Sequence, residues 1–488
     1  MSDKIIKEAP SIKVNAAFNV IRNLMILLFP LITFPYASRI LLPDGIGKVA
    51  FARTFVDYFI TVATLGIGNY GIRETAKVRD DRQQLSKVSQ EILTINMIST
   101  AVSYTLLFTA IFIVPKLAEY RVLLIVISAK ILFTALGLDW LYGGVEDYKY
   151  ITVRSFIFQA ISVIALFVFV HKPEDYLIYA SIAVFANVGS NVCNWIHSKK
   201  YVTFFSGFDS KLEFKKHLVP IFTLFAMAEV TRLYNALDVT MLGFICGDWE
   251  VGIYSAATKI NRIIIQLVVA IGVVVLPRLA YYLKKNEKEK YQELALKNFE
   301  IFSLLSIPCA VGLCLIGDSA ILFFCGSNFN ASVPIMRFMT PMIAISGISH
   351  VVGTQTLVPT GRERFVLYSL VIGAISNVVL NFILIPKYQI WGAAVSTLIS
   401  QGVLSGMELY WCRDIINLCK VGRYFAVYLG HSLVMAAAVF LVLLVFHGHK
   451  NITIIAICIG LMVYGLMLYI TKNSFLLELI ETVKKRIR

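Results

Sequence analysis

The sequence predicts an all-α protein that crosses a membrane many times. Of its 488 residues, 58% are hydrophobic and only 15% are charged, whereas about 25% of the residues of a soluble domain are charged. Apolar runs long enough to span a bilayer recur along the chain, and the hydrophilic joints between them are short. We therefore expect a polytopic helical membrane protein without a separate soluble domain.

Fourteen segments have the length and hydropathy of a membrane-spanning helix, which needs about 20 apolar residues. We predict these spans at residues 14–40, 51–70, 88–113, 119–142, 150–171, 175–197, 217–245, 251–277, 295–317, 331–358, 365–385, 390–412, 424–446 and 451–471.

The positive residues are distributed unevenly between the joints. If the N-terminus is cytoplasmic, the inside segments hold 31 of the 45 Lys and Arg residues and the outside joints hold seven. The positive-inside rule then predicts that both termini are cytoplasmic. The net charge of +15 thus reflects topology and contact with lipid headgroups, and we expect no nucleic-acid partner.

The two halves of the chain resemble each other. GIGKVAFARTFVDYF (45–59) is similar to EVGIYSAATKINRII (250–264), and QAIS (159–162) is similar to GAIS (373–376). Duplicated halves are typical of transporters, in which two related lobes move against each other. We predict an N-terminal lobe of helices 1–6 (1–200), a C-terminal lobe of helices 7–12 (201–415), and two added helices with a basic tail (416–488).

Seven cations remain inside the predicted spans once the residues near the span ends, among them Arg154, are counted with the joints. A charge at such depth costs about 2.5–3.5 kcal/mol on insertion scales. The seven cations are Arg22, Arg53, Lys130, Arg232, Lys259, Arg262 and Arg337. Fewer acids lie at similar depth: Asp57, Asp139, Glu229, Asp238 and Glu408.

Some of these charges have a partner on their own helix. Arg53 and Asp57 lie four residues apart, and Glu229 and Arg232 lie three apart, so each pair shares a helix face. Such pairs are either functional or simply neutralise each other. Arg22 has no acid within a helical turn.

The excess of cations inside the spans favours an anionic ligand. A guanidinium is planar and matches phosphate with paired donors. We predict an anion-binding cavity formed by Arg22, Arg53, Arg232, Lys259 and Arg262.

The sequence has no Walker A, HExxH or GxSxG motif and no cluster of metal ligands. We therefore predict that the chain is not an enzyme and binds neither a cofactor nor a metal.

Five segments carry a family resemblance. They are FPLITFPYASRILLPDGIGKVAFA (29–52), NYGIRETAKVRDD (69–81), GLDWLYGGVEDYKYITVRS (137–155), LDVTMLGF with EVGIYSAATKI (237–260) and IPKYQIWGAAVSTLISQ (385–401). With these motifs the chain resembles the Wzx-like O-antigen flippases of the multidrug/oligosaccharidyl-lipid/polysaccharide (MOP) transporter superfamily.

The resemblance implies a MATE-like fold of two six-helix lobes around a central cavity, followed by helices 13 and 14. It implies that undecaprenyl-pyrophosphate-linked oligosaccharides are moved from the cytoplasmic to the outer leaflet of the bacterial inner membrane by alternating access. It also implies coupling to an ion gradient, of H⁺ or Na⁺, but it does not identify the coupling site. From their position in the predicted spans, Glu229, Asp238 and Asp57 are the candidate acids. Expected partners are the glycan substrate, membrane lipids and the polysaccharide polymerase or chain-length machinery.

Three alternatives remain open at this point. A drug/cation antiporter of the same superfamily would need acids exposed in its cavity. A flippase for another lipid-linked cell-wall precursor would share the cationic cavity. A non-transporting scaffold of a polysaccharide assembly complex would not need the intramembrane charges.

Overall fold

The computed structural model describes residues 12–204, 212–272, 275–446, 452–473 and 475. Within these ranges the chain forms helices, turns and loops and no strand. By its internal contacts the chain divides into two compact units, Met1–Gly252 and Ile253–Arg488. The predicted division at residues 200 and 415 remains a prediction.

Among the described residues, the first unit contains nine helices and the first turn of a tenth, which continues into the second unit. They are α1 (Ile12–Thr64), α2 (Ile67–Lys77), α3 (Arg82–Ile113), α4 (Pro115–Ala118), α5 (Arg121–Leu136), α6 (Asp139–Gly144), α7 (Tyr148–Phe169), α8 (Tyr176–Ser198), α9 (Lys215–Ile245) and α10 (Asp248–Gly272).

The second unit contains the remainder of α10 and eight further helices. They are α11 (Leu276–Lys284), α12 (Lys288–Leu315), α13 (Gly317–Phe324), α14 (Ser332–Met339), α15 (Pro341–Ser349), which a π-helical segment (His350–Leu357) continues, α16 (Glu363–Cys412), α17 (Leu418–Val445) and α18 (Ile452–Ile470).

Eleven helical segments of the described chain are long and apolar enough to cross a membrane. Two of them, Leu28–Lys77 and Glu363–Cys412, are 50 residues long. Glu363–Cys412 contains the predicted spans 365–385 and 390–412, and Leu28–Lys77 contains the span 51–70 and the second half of 14–40. In the predicted span 217–245, only Ala236–Ile245 is recognised as a shorter apolar helix. The protein is thus a multi-pass helical membrane protein, and the count of fourteen spans remains a prediction.

The long helices α1 and α16 are each interrupted by one sharp break. Each break lies where the sequence predicts a joint between two separate helices. In α1 the break is at Leu42, with φ 59° and ψ 176°. Pro43 follows directly, and a proline disfavours the helical conformation of the residue before it. In α16 the break is at Gln389, with φ 50° and ψ −124°. A side chain on Gly392 would overlap the Leu384 carbonyl, so this turn requires a glycine there.

Candidate functional site

A polar cavity of about 280 Å³ lies inside the first unit. Residues of α1, α5, α6, α7 and α8 surround it, and small residues of α8 leave room for it. Both arms of the broken α1 contribute to the wall, because the turn at Leu42 brings Arg53 back to the cavity that Arg22 lines. The wall consists of Arg22, Met25, Arg53, Lys130, Asp139, Arg154, Ser155, Gln159, Ala183, Ala186, Asn187, Ser190 and Asn191.

The wall of the cavity is strongly cationic. It carries three guanidinium groups and one ammonium group, but only one carboxylate, that of Asp139. In a membrane protein such charges must face water, a counter-ion or a ligand, because hydrocarbon does not solvate them. The wall of the cavity therefore carries an excess of positive charge.

Asp139 is the single carboxylate and binds two of the cations. Arg22 Nη2 donates to Asp139 Oδ2 at 3.1 Å. Arg154 Nη2 approaches Asp139 Oδ1 at 3.5 Å, and Asn194 Nδ2 donates to the same oxygen at 2.9 Å. The carboxylate thus lies between two guanidinium groups, where an anionic ligand would compete with it.

The position of Asp139 follows from a turn between α5 and α6. Leu138 has φ 50° and ψ 30°, so the chain leaves α5 and restarts at Asp139. Asn194 Nδ2 also donates to the Gly137 carbonyl oxygen at 2.5 Å. A side chain on Gly137 would come within 2.5 Å of Asn191 Oδ1. Residues of α8 therefore fix this turn and orient the carboxylate.

Arg154 is the most deeply buried of the cations, with 6% of its side chain exposed. Its guanidinium lies 6.0 Å from the Tyr150 ring centre and donates to Ser155 Oγ at 3.4 Å. Within the described part of the chain, Arg154 Nε and Nη1 and the nearby Gln159 Oε1 are buried without a hydrogen-bond partner. Buried polar groups in native proteins are almost always satisfied. Arg154 Nε and Nη1 are thus buried donors, and Gln159 Oε1 a buried acceptor, that the described side chains leave without a partner.

The structure brings two of the five predicted anion-binding residues, Arg22 and Arg53, into this cavity. Arg232 lies nearby on α9 and donates from Nη1 to the Asp57 backbone carbonyl at 3.4 Å. No ion pair joins Arg53 and Asp57 among the side chains that the structure describes. Both are close enough to Lys130 to act on it electrostatically, as is Arg232.

The other predicted residues are distributed as follows. Asp238 is buried on α9, with 3% exposed. Glu229 belongs to the same helix, but its side chain lies outside the described residues. Lys259 is half-buried and Arg262 is exposed on α10, in the second unit. Both of these cations make polar contacts with other residues.

Sequence reasoning missed three residues of the cavity as site residues. The sequence identifies Lys130 and Asp139 as charges inside the predicted spans. Neither has a charged residue within one helical turn that would suggest its role. Arg154 was counted with the cytoplasmic joint 146–154, because it lies near the start of a predicted span. In the structure α7 begins at Tyr148, so Arg154 lies more than one turn inside the helix.

The described residues contain no group of three or more His, Cys, Asp or Glu side chains arranged to hold a metal ion.

The fold and the cationic cavity define a class: a multi-pass helical membrane transporter. Its family is shown by the sequence, since the family model described as "Polysaccharide biosynthesis protein" matches residues 12–283, more than half of the chain. The chain belongs to this polysaccharide biosynthesis family of the MOP superfamily, as its motifs predicted. The MatE family model matches residues 220–383 as well.

Known proteins show the same relationship. The chain is 25% identical over 383 residues to a Shigella dysenteriae protein with the name "Putative O-antigen transporter". The aligned region covers 77% of this chain and 93% of that protein. The fold of this chain is similar to that of the lipid II flippase MurJ in an inward closed conformation, with a TM-score of 0.75 and 16% identity. The match covers 95% of this chain and 99% of that chain.

The fold is also similar to that of an inward-facing multidrug resistance MATE family transporter of the MOP superfamily. The TM-score is 0.62 at 15% identity, with 84% of this chain and 98% of that chain covered. The names of the Shigella dysenteriae protein and of MurJ describe transport of O-antigen and flipping of lipid II.

Proposed function

We propose that this protein is a flippase that moves undecaprenyl-pyrophosphate-linked oligosaccharide units, of O-antigen or a related surface polysaccharide, across the bacterial inner membrane. The observation that carries the proposal is the cationic cavity inside a member of the polysaccharide biosynthesis family. Four cations and one carboxylate line it, which suits a pyrophosphate.

The chemical need for such a cavity is clear. A pyrophosphate and its sugars cannot cross hydrocarbon unaided, because unsatisfied polar groups are costly there. A volume of about 280 Å³ is too small for a whole oligosaccharide, and pockets for drug-sized ligands are about 300–1,000 Å³. The cavity therefore holds the pyrophosphate, and the sugars extend beyond it.

Asp139 gives the site a means of release. The carboxylate occupies the space between Arg22 and Arg154, and an arriving phosphate displaces it. When the cycle weakens phosphate binding, the carboxylate returns to the two guanidinium groups. A transported ligand must not be held too tightly in either state, and an internal competitor achieves this.

The remaining elements of the proposal come from the sequence and from the fold. Both termini are placed in the cytoplasm, and transport runs from the cytoplasmic to the outer leaflet by alternating access. A proton or sodium gradient drives the cycle, with Asp57, Glu229 and Asp238 as candidate coupling acids. Lys259 and Arg262, which belong to the second unit, remain proposed anion-binding residues. The polymerase or chain-length machinery is the proposed downstream partner.

The test is complementation of a strain that lacks this chain. Surface polysaccharide and the internal pool of lipid-linked sugar units are measured with wild type, Arg22→Ala and Arg22→Ala/Arg53→Ala at matched expression. We expect the deletion to lose polysaccharide and to accumulate the lipid-linked units, and neither variant to restore export fully. Arg278→Ala removes an exposed guanidinium outside the cavity and should complement like wild type. Normal export by the double variant would reject the anion site.

A drug/cation antiporter is the second candidate, favoured by the MatE match and the MATE-like fold. The excess of cations in the cavity disfavours it, since a cationic drug would be repelled. Drug sensitivity of the deletion strain separates the two: increased sensitivity with intact surface polysaccharide would establish the antiporter. A flippase for another lipid-linked cell-wall precursor is the third, and lethality of the deletion would favour it.

A further inference from the structure

A second, larger opening lies beside the cationic cavity, on the surface of the first unit. This groove has a volume of about 640 Å³ and runs along the starts of α7 and the ends of α8. Arg154 lines both the groove and the cavity. The groove is therefore a neighbouring site that shares one side chain with the proposed transport site.

The groove attracts anions. It is lined by three permanent cations, Lys149, Arg154 and Lys200, and by one carboxylate, Asp147. That carboxylate is already engaged, because Asp147 accepts hydrogen bonds from the Tyr201 hydroxyl at 2.7 Å and from the Tyr150 backbone N–H at 3.2 Å. The ammonium groups of both lysines belong to exposed side chains and are available to a ligand.

The floor of the groove contains buried polar atoms without a hydrogen-bond partner. Arg154 is more than nine-tenths buried, and its donors Nε and Nη1 have no acceptor within the described ranges. His197 stacks on the Tyr150 ring with 3.9 Å between the ring centres, and its Nδ1 is likewise buried without a partner. The guanidinium donors at the base and the two lysines at the rim fit a phosphate with several acceptor oxygens.

One wall of the groove is apolar and faces outward. Val153 and Ile157 line it with 45% and 49% of their surface exposed. The same face of α7 continues with exposed Ile161 and Ile164, spaced at the helical repeat. A ligand that satisfies both parts carries a phosphate on an apolar chain, and in a membrane protein this stripe faces lipid.

We propose that the groove between α7 and α8 binds the phosphate of an anionic membrane lipid, with Arg154, Lys149 and Lys200 as its ligands and the lipid chain along α7. This goes beyond the proposed transport function and does not depend on it. Basic pockets between spanning helices on the cytoplasmic side bind lipid headgroups in general, and here the shared Arg154 connects the bound lipid to the cavity.

Cys193 provides the test, because it lines the groove and is a free thiol. The full chain in nonionic detergent micelles is alkylated with N-ethylmaleimide, and labelling of Cys193 is followed by peptide mass spectrometry, with the exposed Cys419 as internal reference. Phosphatidylglycerol, a diacylglycerol with the same chains and inorganic pyrophosphate are compared as protecting ligands.

We expect phosphatidylglycerol alone to slow the labelling of Cys193 relative to Cys419. Lys149→Ala/Lys200→Ala should need about thirtyfold more lipid for the same protection, since each lysine near a membrane surface contributes about a factor of five. The control Lys387→Ala/Lys420→Ala removes two exposed lysines elsewhere and should behave like wild type. Equal protection by diacylglycerol would show binding of the chain alone, and equal protection by pyrophosphate would show a free-phosphate site. Either result, or unchanged protection of the Lys149/Lys200 variant, would overturn the proposal.

Discussion

The guanidinium of Arg22 and the carboxylate of Asp139 lie 3.1 Å apart, although 117 residues separate them in the chain. The contact joins the first arm of α1 to the short helix α6, and Arg154 approaches the same carboxylate from α7. A charge that lacks a partner in its own helix has thus acquired one by tertiary packing. The ion pair occupies the position that we assign to the substrate phosphate.

Removing the charge of Asp139 should therefore strengthen anion binding. Asp139→Asn keeps the size of the side chain but removes the anion that competes for Arg22 and Arg154. We expect the affinity for inorganic pyrophosphate, measured by calorimetry on the purified protein, to rise by about twofold to fivefold, the worth of a partly exposed ion pair. Export in the complemented strain should fall, since release loses its competitor.

A comparable ion pair outside the cavity provides the control. Arg337 and Asp318 pair in the second unit, so Asp318→Asn should leave pyrophosphate affinity unchanged. If Asp139→Asn weakens binding instead, the carboxylate orients the guanidinium groups and does not compete with the ligand.

The guanidinium of Arg154 should lower the free energy of unfolding and should be necessary for export. Its buried guanidinium has two unsatisfied nitrogens among the described residues, and such groups cost about 1–3 kcal/mol each. Arg154→Met fills similar volume without a charge and leaves Asp139 paired with Arg22. We expect a gain of about 1 kcal/mol in unfolding free energy, seen as a higher Tm in detergent, together with a loss of export.

Arg154→Lys separates charge from geometry in this experiment. It keeps the positive charge but not the planar fork, so we expect no gain in stability and only partial export. A lower Tm for Arg154→Met would show that Arg154 mainly stabilises the fold.

Gly47 and Gly252 occupy equivalent positions in the two similar segments of the sequence, and they pack against each other. A Cβ on Gly47 would lie 2.9 Å from the Gly252 backbone nitrogen and would overlap the Asp248 carbonyl. A Cβ on Gly252 would overlap the Pro43 carbonyl. Backbone therefore meets backbone where α1 turns at Leu42 and α10 begins.

We expect Gly47→Ala to destabilise the protein by about 1–3 kcal/mol, the usual cost of overpacking, and Gly252→Ala to do the same. Thermal unfolding in detergent measures the effect. Gly402 also lies inside a helix, but a Cβ there meets nothing within 4 Å. Gly402→Ala should be neutral or stabilising by about 0.5–1 kcal/mol. Equal effects of the Gly47 and Gly402 substitutions would contradict this close approach.

The spans could be predicted from sequence because hydrocarbon thickness imposes a length and a composition on each helix. The turn at Leu42 also had a local signal in the following Pro43. The α5–α6 turn at Leu138 had a weaker one, since Gly137 and the Gly143–Gly144 pair mark only a region where side chains are small.

The candidate site could be predicted only in part, because its charges interact across helices. Arg22 and Arg53 were identified from their depth in an apolar helix, and both line the cavity. The partner of Arg22 comes from a distant helix, so no spacing along the chain revealed it. In the sequence, Arg154 lies near the start of the predicted span 150–171 and is counted with the joint before it. Only the packing of α7 against α8 buries its side chain.

In the second unit, the carboxyl group of Glu408 fills the space beside Gly353 and leaves no room for a side chain there. Glu408 is 3% exposed on α16, and Ser349 Oγ donates to its Oε2 at 2.5 Å. A Cβ on Gly353, in the π-helical segment, would lie 2.5 Å from Glu408 Oε1. π-Helical turns are often found at functional sites, and here the glycine makes room for a buried carboxyl group.

Gly353→Ala should therefore destabilise the protein by about 1–3 kcal/mol, and the cost should depend on Glu408. In a Glu408→Ala background the opposing side chain is gone, so the added methyl group should cost less than about 0.5 kcal/mol. Thermal unfolding of the wild type, both single variants and the double variant in detergent gives the coupling energy. Independent, additive effects of the two substitutions would show that Gly353 is needed for the backbone conformation of the π-helical segment and not for the space that Glu408 fills.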